Sequence, residues 1–276
     1  VAVPGADLSG TLSLEVNSTG MDIMESISFG PQNNSTTAVV LGDVNGDALP
    51  DLITGNTGET TLLYLNDGEG NPFDTIAAIE IGTDTGTTSA LALGDLDGDG
   101  ALDLVIGNRG GQSLIFQNDG SGAFTQFANA PPIMSMVTSL AIGDVTGDGL
   151  VDLVVGNANE ANQLYTNRGV NDEGAWQGLT VTALGAASAN TVAVALGDLN
   201  GDDQLDVVVA NRGAASEIFL NDSAEMSATP FGISGAFGSM ADMTTALALG
   251  DVNGDDTIDI VLGRTGQTNL LFVNVG

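Results

Sequence analysis

Short apolar runs alternate with polar, glycine-rich turns along most of this chain, and the runs fall into groups of three. The first run of a group has three residues, the second is apolar at consecutive positions, and the third contains an aromatic residue and ends in asparagine, as in 91–93, 104–106 and 115–118. Runs this short, and apolar on both alternating sides, predict β-strands covered on both faces. None approaches the ~18 consecutive apolar residues of a membrane-spanning helix, so we expect no membrane span.

These groups belong to an internal repeat that occurs five times. An acidic loop separates the first and second runs, and the loops with the strands that follow read GDVNGDALPDLITGN from Gly42, GDLDGDGALDLVIGN from Gly94, GDVTGDGLVDLVVGN from Gly143, GDLNGDDQLDVVVAN from Gly197 and GDVNGDDTIDIVLGR from Gly250. A fourth, more variable apolar segment, such as 76–81 or 179–184, fills the rest of a copy. Four strands in about fifty residues predict one blade of a β-propeller.

The two ends of the chain predict how the blades close into a ring. The fifth copy supplies three strands, at about 246–249, 258–262 and 269–273, whereas residues 22–29 resemble the fourth strand of the first complete copy. We therefore expect one domain over residues 22–276, an all-β, five-bladed β-propeller of four-stranded blades whose ring is closed by an N-terminal strand. Such a ring leaves no strand edge exposed. Residues 1–21 are expected to be an N-terminal extension or junction.

Composition narrows the classes of function. The chain has 36 Asp and Glu residues against 4 Arg and no Lys, which gives a formal charge of −32, while 42% of its residues are hydrophobic. Nucleic acid is disfavoured as a partner because phosphate binding depends on clustered Lys and Arg. The absence of His, Cys and Lys removes Ser-His hydrolysis, thiolate chemistry and Schiff bases. We therefore expect a binding or structural module and not an enzyme.

The acidic loops carry oxygen-bearing side chains at positions 1, 3, 5 and 9, with glycine at position 4. Side chains at alternate positions can converge on one cation, and Ca²⁺ takes six to eight oxygen ligands. Asp, Asn and Gly also favour turns for backbone reasons alone, but five copies of unpaired carboxylate clusters would repel one another. We expect about five Ca²⁺ ions, one per loop, bound by these side chains and by the position-7 carbonyl: Asp43, Asn45, Asp47, Leu49 and Asp51; Asp95, Asp97, Asp99, Ala101 and Asp103; Asp144, Thr146, Asp148, Leu150 and Asp152; Asp198, Asn200, Asp202, Gln204 and Asp206; Asp251, Asn253, Asp255, Thr257 and Asp259.

Two details refine this metal prediction. The third loop has Thr146 where the others have Asp or Asn, so we expect it to bind least tightly. An EF-hand loop would need a bidentate Glu at position 12 and flanking helices, whereas position 12 here falls inside strands, for example at Ile106.

The D-x-[DN]-x-D-x-x-x-D loop between the first two strands of a four-stranded unit resembles the FG-GAP/VCBS repeat family, which forms the calcium-loop propellers of integrin α heads and occurs in many bacterial surface proteins. The resemblance extends over residues 22–276. It implies calcium at the loops, an extracellular or cell-surface location, and a role in adhesion or lectin-like recognition. Integrin heads have seven blades and this chain has five motifs, so no integrin ligand site can be transferred.

The face opposite the acidic loops is a candidate ligand surface, because the turns between second and third strands carry three of the four arginines. Arg109, Arg212 and Arg264 could hold a carboxylate or an acidic sugar. The alternative is that they pair with local acidic groups such as Glu59, Glu160 or Glu217. Trp176 aligns with Phe73, Phe124 and Phe231 and is expected to pack in the core.

The sequence leaves three functions open. The first is a secreted, non-catalytic calcium-binding propeller that recognises a glycan or an extracellular protein. The second is a self-assembling structural subunit of an extracellular filament, tube or surface layer, whose partners are copies of itself. The third is a polysaccharide-active enzyme, which would have to work with Tyr, Arg or a spare carboxylate pair.

Overall fold

A computed structural model describes residues 29–30, 34–69, 72–73, 77–221 and 231–276. All the regular secondary structure in these ranges is β, in seventeen strands. The described residues hold no helix that is long and apolar enough to cross a membrane. The strands are β1 Thr36–Gly42, β2 Asp51–Asn56, β3 Thr61–Tyr64, β4 Ile79–Ile81, β5 Thr88–Gly94, β6 Asp103–Asn108, β7 Leu114–Asn118, β8 Phe124–Gln126, β9 Val137–Gly143, β10 Asp152–Asn167, β11 Leu179–Gly197, β12 Asp206–Asn211, β13 Ser216–Asn221, β14 Phe231–Phe237, β15 Thr244–Gly250, β16 Asp259–Arg264 and β17 Leu270–Phe272.

Consecutive strands pair antiparallel to form five repeat units. The first unit is the sheet β1–β4 and the second is the sheet β5–β8. The third and fourth units share one six-stranded sheet. β10 supplies both the second and the third strand of the third unit, since its first part pairs with β9 and its second part with β11. β11 supplies the fourth strand of the third unit and the first strand of the fourth, where it pairs with β12. Counted this way, each of the first four units has the four predicted strands.

The fifth unit has three strands among the described residues, β15, β16 and β17. This agrees with the three strands expected in the fifth copy. The segment expected to supply the fourth strand lies outside the described residues except for Phe29, as do residues 1–21.

All five units share one hairpin register between their first and second strands. The glycine that ends the first strand pairs with the aspartate that begins the second, as Gly42 does with Asp51 and Gly250 with Asp259. Each acidic loop therefore spans the same eight residues between a glycine and an aspartate that the sheet fixes. The repeated sequence thus produces five loops of one geometry at the same end of the strands.

The hydrophobic core lies between adjacent units. One cluster joins Ile53 and Leu63 of the first unit to Leu104, Ile106 and Phe116 of the second, and similar clusters join the units that follow. The second strands are buried on both faces because they lie in the middle of these layers. This explains why their sequences are apolar at consecutive positions.

The close approach of the second and third units requires glycine at position 107. A Cβ atom placed on Gly107 would lie 2.6 Å from Cγ1 of Val137 in the next unit and 3.2 Å from Cδ1 of Leu140. Val137 is fully buried and β-branched, so it has little freedom to move aside. The glycine therefore sets the distance between the second and third units.

We predict that Gly107→Ala lowers the free energy of unfolding by about 1–3 kcal/mol, because the added methyl group overpacks this interface. Urea denaturation measures the change. Gly235→Ala is the matched control, since a Cβ atom there meets no atom within 4 Å and the backbone is an ordinary strand. Equal midpoints for Gly107→Ala and the unmodified chain would contradict the packing.

Candidate functional site

The aspartate at position 1 of each acidic loop organises the backbone around it. In the first loop Asp43 Oδ1 accepts the N–H groups of Gly46 and Asp47, at 2.7 and 3.2 Å, and Oδ2 accepts the N–H of Ala48 at 2.7 Å. The same three bonds recur in the other four loops. Burial raises the pKa of Asp43, but the backbone donors outweigh it and leave the pKa below its ordinary value.

This curled backbone needs left-handed conformations at loop positions 4 and 6. Gly46 has φ 78° at position 4, where every loop has glycine, and Ala48 has φ 67° at position 6. Asp203 and Asp256 are also left-handed at position 6, although such a conformation costs a residue with a Cβ atom about 1–2 kcal/mol. The N–H groups that these positions donate to the position-1 carboxylate offset that strain.

Positions 3 and 5 add oxygens to the same loop. In the first loop Asp47 Oδ1 accepts the N–H of Leu49 at 2.8 Å, and Asn45 Oδ1 accepts the N–H of Asp47 at 3.1 Å. Position 7 therefore donates its N–H to the position-5 carboxylate, and the equivalent bond forms at Ala101, Leu150, Gln204 and Thr257. Where position 3 is asparagine, its amide also donates to position 5, as from Asn45 Nδ2 to Asp47 Oδ2 at 3.0 Å.

The second loop brings three carboxylates together. Oxygen atoms of Asp95, Asp97 and Asp99 lie within 4.8 Å of one another, which no other group of acidic residues in the described part of the chain matches. Burial, and then the nearby charge of Asp99, raise the pKa of Asp97. Gln117 Nε2 donates to Asp97 Oδ2 at 2.6 Å, so a neighbouring strand also positions this carboxylate.

The third loop differs from the others at position 3. Thr146 replaces the carboxylate or amide of position 3, and its hydroxyl lies 3.5 Å from Asp144 Oδ1. Position 1 and position 5 of this loop, Asp144 and Asp148, keep the arrangement of the other loops.

Position 9 has a role that its spacing alone does not reveal. Asp103 is fully buried; its Oδ2 accepts the N–H of Leu96 at loop position 2, and its Oδ1 accepts the N–H of Asn118 at the end of the third strand, both at 2.9 Å. Asp51, Asp152, Asp206 and Asp259 make the same two bonds. Each position-9 carboxylate thus ties the loop to the third strand.

Burial raises the pKa values of the position-9 carboxylates in the first four loops. Desolvation brings the pKa of Asp103 to about 7 and that of Asp152 to about 6, and it raises the pKa values of Asp51 and Asp206 as well. The charges of Asp97 and Asp99 contribute to the rise at Asp103. In these four loops the interior around position 9 therefore favours the neutral acid unless a positive charge lies nearby.

The donor set of the loops fits a hard cation. Every side chain offered at positions 1, 3, 5 and 9 presents oxygen, and neither nitrogen from His nor sulfur from Cys is available in the sequence. Carboxylate oxygens have about four lone-pair sites, so a group that accepts two N–H bonds can still bind a metal. This chemistry suits Ca²⁺ with its six to eight oxygen ligands better than a transition metal.

The three arginines of the opposite face differ in their surroundings. Arg264 Nη1 pairs with Asp242 Oδ1 at 2.6 Å, and its Nε donates to the Thr268 carbonyl at the same distance. Within the described ranges Arg109 and Arg212 form no ion pair, and both are exposed; Arg212 Nε donates to the Thr244 carbonyl. The pairing of Arg264 is the kind of local contact that the sequence left open as the alternative to ligand binding.

Arg264 also occupies a repeat position whose side chain bonds to the carbonyl four residues later in every unit. Asparagine ends the second strand of the first four units, and its Nδ2 donates to the carbonyl four residues later, as from Asn108 to Gln112 at 2.8 Å. Arg264 occupies this position in the fifth unit and donates to the equivalent carbonyl. The expected core position of Trp176 is confirmed, since the side chain is buried and its Nε1 donates to Asn167 Oδ1 at 2.9 Å.

Sequence reasoning missed the role of the asparagine that ends each third strand. Its Nδ2 donates to the position-2 carbonyl of the acidic loop in the preceding unit: Asn118 to Val44, Asn167 to Leu96, Asn221 to Val145 and Asn274 to Leu199, at 2.8, 2.7, 2.8 and 2.6 Å. The signal was present, because an asparagine stands there in all five copies. The acidic loops are thus part of the contact between units.

Comparison with known proteins bears on the family and the fold. The FG-GAP-like repeat pattern matches residues 43–106, 95–155, 144–209 and 198–262, which together cover most of the chain. No curated protein sequence matches. Two solved structures of BBS1N in complex with ARL6DN, one soaked with mercury and one with lead, are similar in fold at 15% identity; their TM-scores are 0.55 and 0.54, and the alignments cover 91% and 90% of this chain and 68% and 69% of the other. The recurring loops, the antiparallel units and these matches together assign the chain to the FG-GAP-like repeat family, with a propeller-like all-β fold.

Proposed function

We propose that this chain is a non-catalytic, calcium-stabilised recognition module of the propeller type that binds an extracellular partner. The observation that carries the proposal is the recurrence in five loops of one carboxylate arrangement, held by the same N–H bonds to position 1. An extracellular or cell-surface location suits such loops, because extracellular calcium modules work with dissociation constants of about 10⁻⁴–10⁻³ M.

Calcium would be held by the side chains at positions 1, 3, 5 and 9 and by the position-7 carbonyl. When bound it would supply positive charge to a loop that otherwise holds clustered carboxylates. The chain's own residues do the rest: position 1 sets the curl of the backbone, and position 9 fixes the loop to the third strand. We expect the second loop, with its three convergent carboxylates, to bind most tightly and the third loop to bind least tightly.

We further propose that the units form a five-bladed ring in which residues 22–29 supply the fourth strand of the fifth unit. Phe29 supports this: its ring lies 5.4 Å from that of Tyr64, and a Cβ atom on Gly30 would meet the Tyr64 hydroxyl. Ile81 and Gly82, which end the first unit, contact Phe116 of the second unit in the same way. Phe29 and Gly30 therefore occupy the place of a preceding unit's last strand.

A groove beside β17 also supports this closure. It has a volume of about 460 Å³ and lies between the fourth and fifth units, with a largely apolar lining that includes Leu220, Ile260, Phe272 and Val273. In the first four units, chain that follows the third strand continues into a fourth strand. A fourth strand on β17 would cover this groove.

A protein or glycan ligand is the proposed partner. The BBS1N structures were solved in complex with ARL6DN, so a protein of similar fold engages a protein partner. On this chain the face opposite the calcium loops is the proposed binding surface, since Arg109 and Arg212 are exposed there and carry positive charge in a strongly acidic protein. A carboxylate on the ligand is the chemistry that they would recognise.

Self-assembly is the second candidate, and exposed apolar side chains favour it. Val39 and Leu41 of the first unit and Leu271 and Val273 of the fifth are exposed, although they occupy positions that adjacent units otherwise cover. Copies of this chain meeting through those surfaces would form a filament or ring.

Calcium is expected to stabilise the fold strongly. A cation that binds the folded chain alone stabilises it by mass action, and one site at a hundredfold excess over its dissociation constant contributes about 2.7 kcal/mol, or about 5–10 °C in melting temperature. Calorimetric titration and thermal melts with and without a chelator measure this. Unchanged melting in excess chelator would contradict the calcium proposal.

Two loop variants and a control sharpen the calcium test. Asp97→Asn should weaken the second loop by about tenfold, and Thr146→Asp should strengthen the third by a similar factor, because ligand charge tunes calcium affinity. Asp172→Asn removes one charge from an exposed position outside the loops and should leave the titration unchanged. A change in all three variants alike would mean that net charge, and not loop chemistry, governs binding.

Recognition of a carboxylate ligand is expected to depend on the two exposed arginines. Arg109→Ala with Arg212→Ala should reduce calcium-dependent retention on immobilised polygalacturonate several-fold, because both positive charges are lost. Arg168→Ala is the control, since it removes an exposed arginine that follows the third strand of the third unit. Equal retention of the double variant and the unmodified chain would contradict the role of the arginines.

The N-terminal closure predicts two different results from two truncations. Removing residues 1–21 should leave the melting temperature unchanged, whereas removing residues 1–29 should lower it, because the fourth strand of the fifth unit is lost. The point variant Phe29→Ala in the full chain removes the ring that packs on Tyr64 and Phe73 and nothing else. If Phe29→Ala lowers the melting temperature as much as the longer truncation, the Phe29 ring accounts for the whole effect. The proposed fourth strand of the fifth unit then contributes nothing to stability.

A further inference from the structure

Arg109 and Arg212, the two exposed arginines of the face opposite the acidic loops, have the same structural setting. Each follows the asparagine that ends a second strand, and each forms an isolated antiparallel bridge with a methionine of the next unit, Arg109 with Met136 and Arg212 with Met243. Residues directly opposite each other in an antiparallel pair point to the same side, with their Cβ atoms about 4.5–5.5 Å apart. The bridges therefore define two repeat-equivalent pairs of an arginine and a methionine, which we call the Arg–Met pairs.

Two other described places where a second strand reaches the next unit have neither a cation nor a long apolar side chain. Thr57 pairs with Thr87 between the first and second units, and Ala158 pairs with Asn190 between the third and fourth. The Arg–Met pairs thus occur at alternate contacts between units. They are a property of particular residues on this face and not of the repeat fold.

The methionines of these pairs belong to a small group of exposed apolar side chains. Each methionine within the described ranges precedes the first strand of the third or the fifth unit, and all are exposed: Met134, Met136, Met240 and Met243. In the pairs, Met136 is 38% exposed and Met243 is 41% exposed, so both have apolar area that a partner could remove from water. Methionine is flexible and polarisable, which suits it to contacts with varied apolar partners.

A hydrogen bond that joins the first and second strands at this end is missing in the same two units. In the first, second and fourth units a threonine hydroxyl of the first strand donates to the asparagine that ends the second, as from Thr191 Oγ1 to Asn211 Oδ1 at 2.9 Å. The third unit has Val137 in place of the threonine, and the fifth has Arg264 in place of the asparagine. These two exceptions are the units that supply the methionines of the Arg–Met pairs.

Buried polar atoms without a hydrogen-bond partner among the described residues lie beside both Arg–Met pairs. They are Ser135 Oγ, Asn157 Oδ1 and Thr244 Oγ1. Ser135 immediately precedes Met136, and Thr244 immediately follows Met243. Buried side-chain atoms of this kind almost always have a partner. Both Arg–Met pairs therefore adjoin polar groups that can still form a hydrogen bond.

We propose that the Arg–Met pairs bind a protein segment in which an acidic side chain and an apolar side chain point to the same side. The guanidinium pairs with the carboxylate, and the apolar side chain covers the methionine. The backbone N–H and C=O groups of the segment are the kind of partner that the buried polar atoms lack. This inference rests on the proposed recognition function and names the class of partner for the same face, a protein and not a glycan.

The exposed side chains favour a protein segment over an acidic glycan. A polysaccharide offers carboxylates and hydroxyl groups but no alkyl side chain to cover Met136 or Met243. No aromatic ring is among the exposed large apolar side chains of the described residues, so a sugar ring would find no flat face to stack on. Charge locates the contact, since the chain as a whole has a net charge of −32 and an acidic segment can approach where arginine is exposed.

Three immobilised peptides of equal length test this chemistry. Alternate side chains of an extended peptide lie on one side, so repeats of Asp-Ser-Leu-Ser present acidic and apolar groups together. Repeats of Asp-Ser-Ser-Ser keep the charge without the apolar group, and repeats of Asn-Ser-Leu-Ser keep the apolar group without the charge. The full chain is passed over each peptide in the presence of calcium, and surface plasmon resonance measures its retention.

We expect several-fold stronger retention on the Asp-Ser-Leu-Ser peptide than on either of the others. Equal retention on the Asp-Ser-Ser-Ser peptide would mean that charge alone, or calcium bridging two acidic surfaces, holds the chain, and it would overturn the proposal. Equal retention on the Asn-Ser-Leu-Ser peptide, or retention on none of the three, would also overturn it.

Two double variants assign the apolar contact to the Arg–Met pairs. Met136→Gln with Met243→Gln should reduce retention on the Asp-Ser-Leu-Ser peptide about tenfold, because two apolar contacts are lost together. Both positions are exposed, and an unchanged melting temperature checks that the fold is kept. Met134→Gln with Met240→Gln is the matched control, since these methionines are exposed in the same segments but form no bridge with an arginine in the described structure. Equal losses in the two double variants would overturn the pairing.

Retention on polygalacturonate separates this inference from the proposed function. Polygalacturonate carries carboxylates without apolar side chains, so Met136→Gln with Met243→Gln should be retained on it as the unmodified chain is. If Arg109→Ala with Arg212→Ala loses polygalacturonate retention while the Met136→Gln, Met243→Gln variant keeps its full retention on the Asp-Ser-Leu-Ser peptide, this inference is overturned and the proposed function stands.

Discussion

A buried carboxylate at the head of each second strand connects the loops, the sheets and the junctions between units. Asp51 and its four equivalents are fully shielded from solvent, and each accepts one N–H from the acidic loop and one from the end of the third strand. In the second to fifth units the third-strand asparagine that donates this N–H also reaches the preceding unit through its side chain. One carboxylate therefore fixes the loop, the hairpin register and the position of the residue that joins two units.

This arrangement buries five carboxyl groups in the interior of the protein. Desolvation raises the pKa of Asp103 to about 7, and two N–H donors do not offset it. Leaving a buried carboxylate charged is costly, and protonating it gives up the stronger charge-assisted bonds to the backbone. A cation in the adjoining loop is the change that would favour the ionised form without moving any residue. In this protein, calcium binding and packing between units would then stabilise the same conformation.

The repeat explains which features could be predicted from sequence. Strand positions and loop spacing follow from local patterns that occur five times, so the all-β fold, the acidic loops and the buried Trp176 could all be inferred. Two features depend on how units sit against one another. The continuity of β10 through two strand positions of the third unit, and of β11 from the third unit into the fourth, leaves no mark in the sequence pattern. The pairing of Arg264 with Asp242 depends on a partner 22 residues away in a variable segment, where the five copies offer no common pattern to compare.

The junctions also decide how much stability the repeat can reach. In a repeat protein the stability of the whole is close to a sum over units and over contacts between neighbours. Five units in an open row have four junctions, and the same units in a ring have five, so closure would add a junction without adding a residue. In the described structure the acidic loops are not equivalent: Val252 of the fifth loop is exposed, while Val44 is covered by the second unit. Since position 2 of a loop is bonded to its position-9 carboxylate, the ring contact would constrain the fifth loop in the way that the other four are already constrained. Closure would therefore complete the fifth loop as well as the fold.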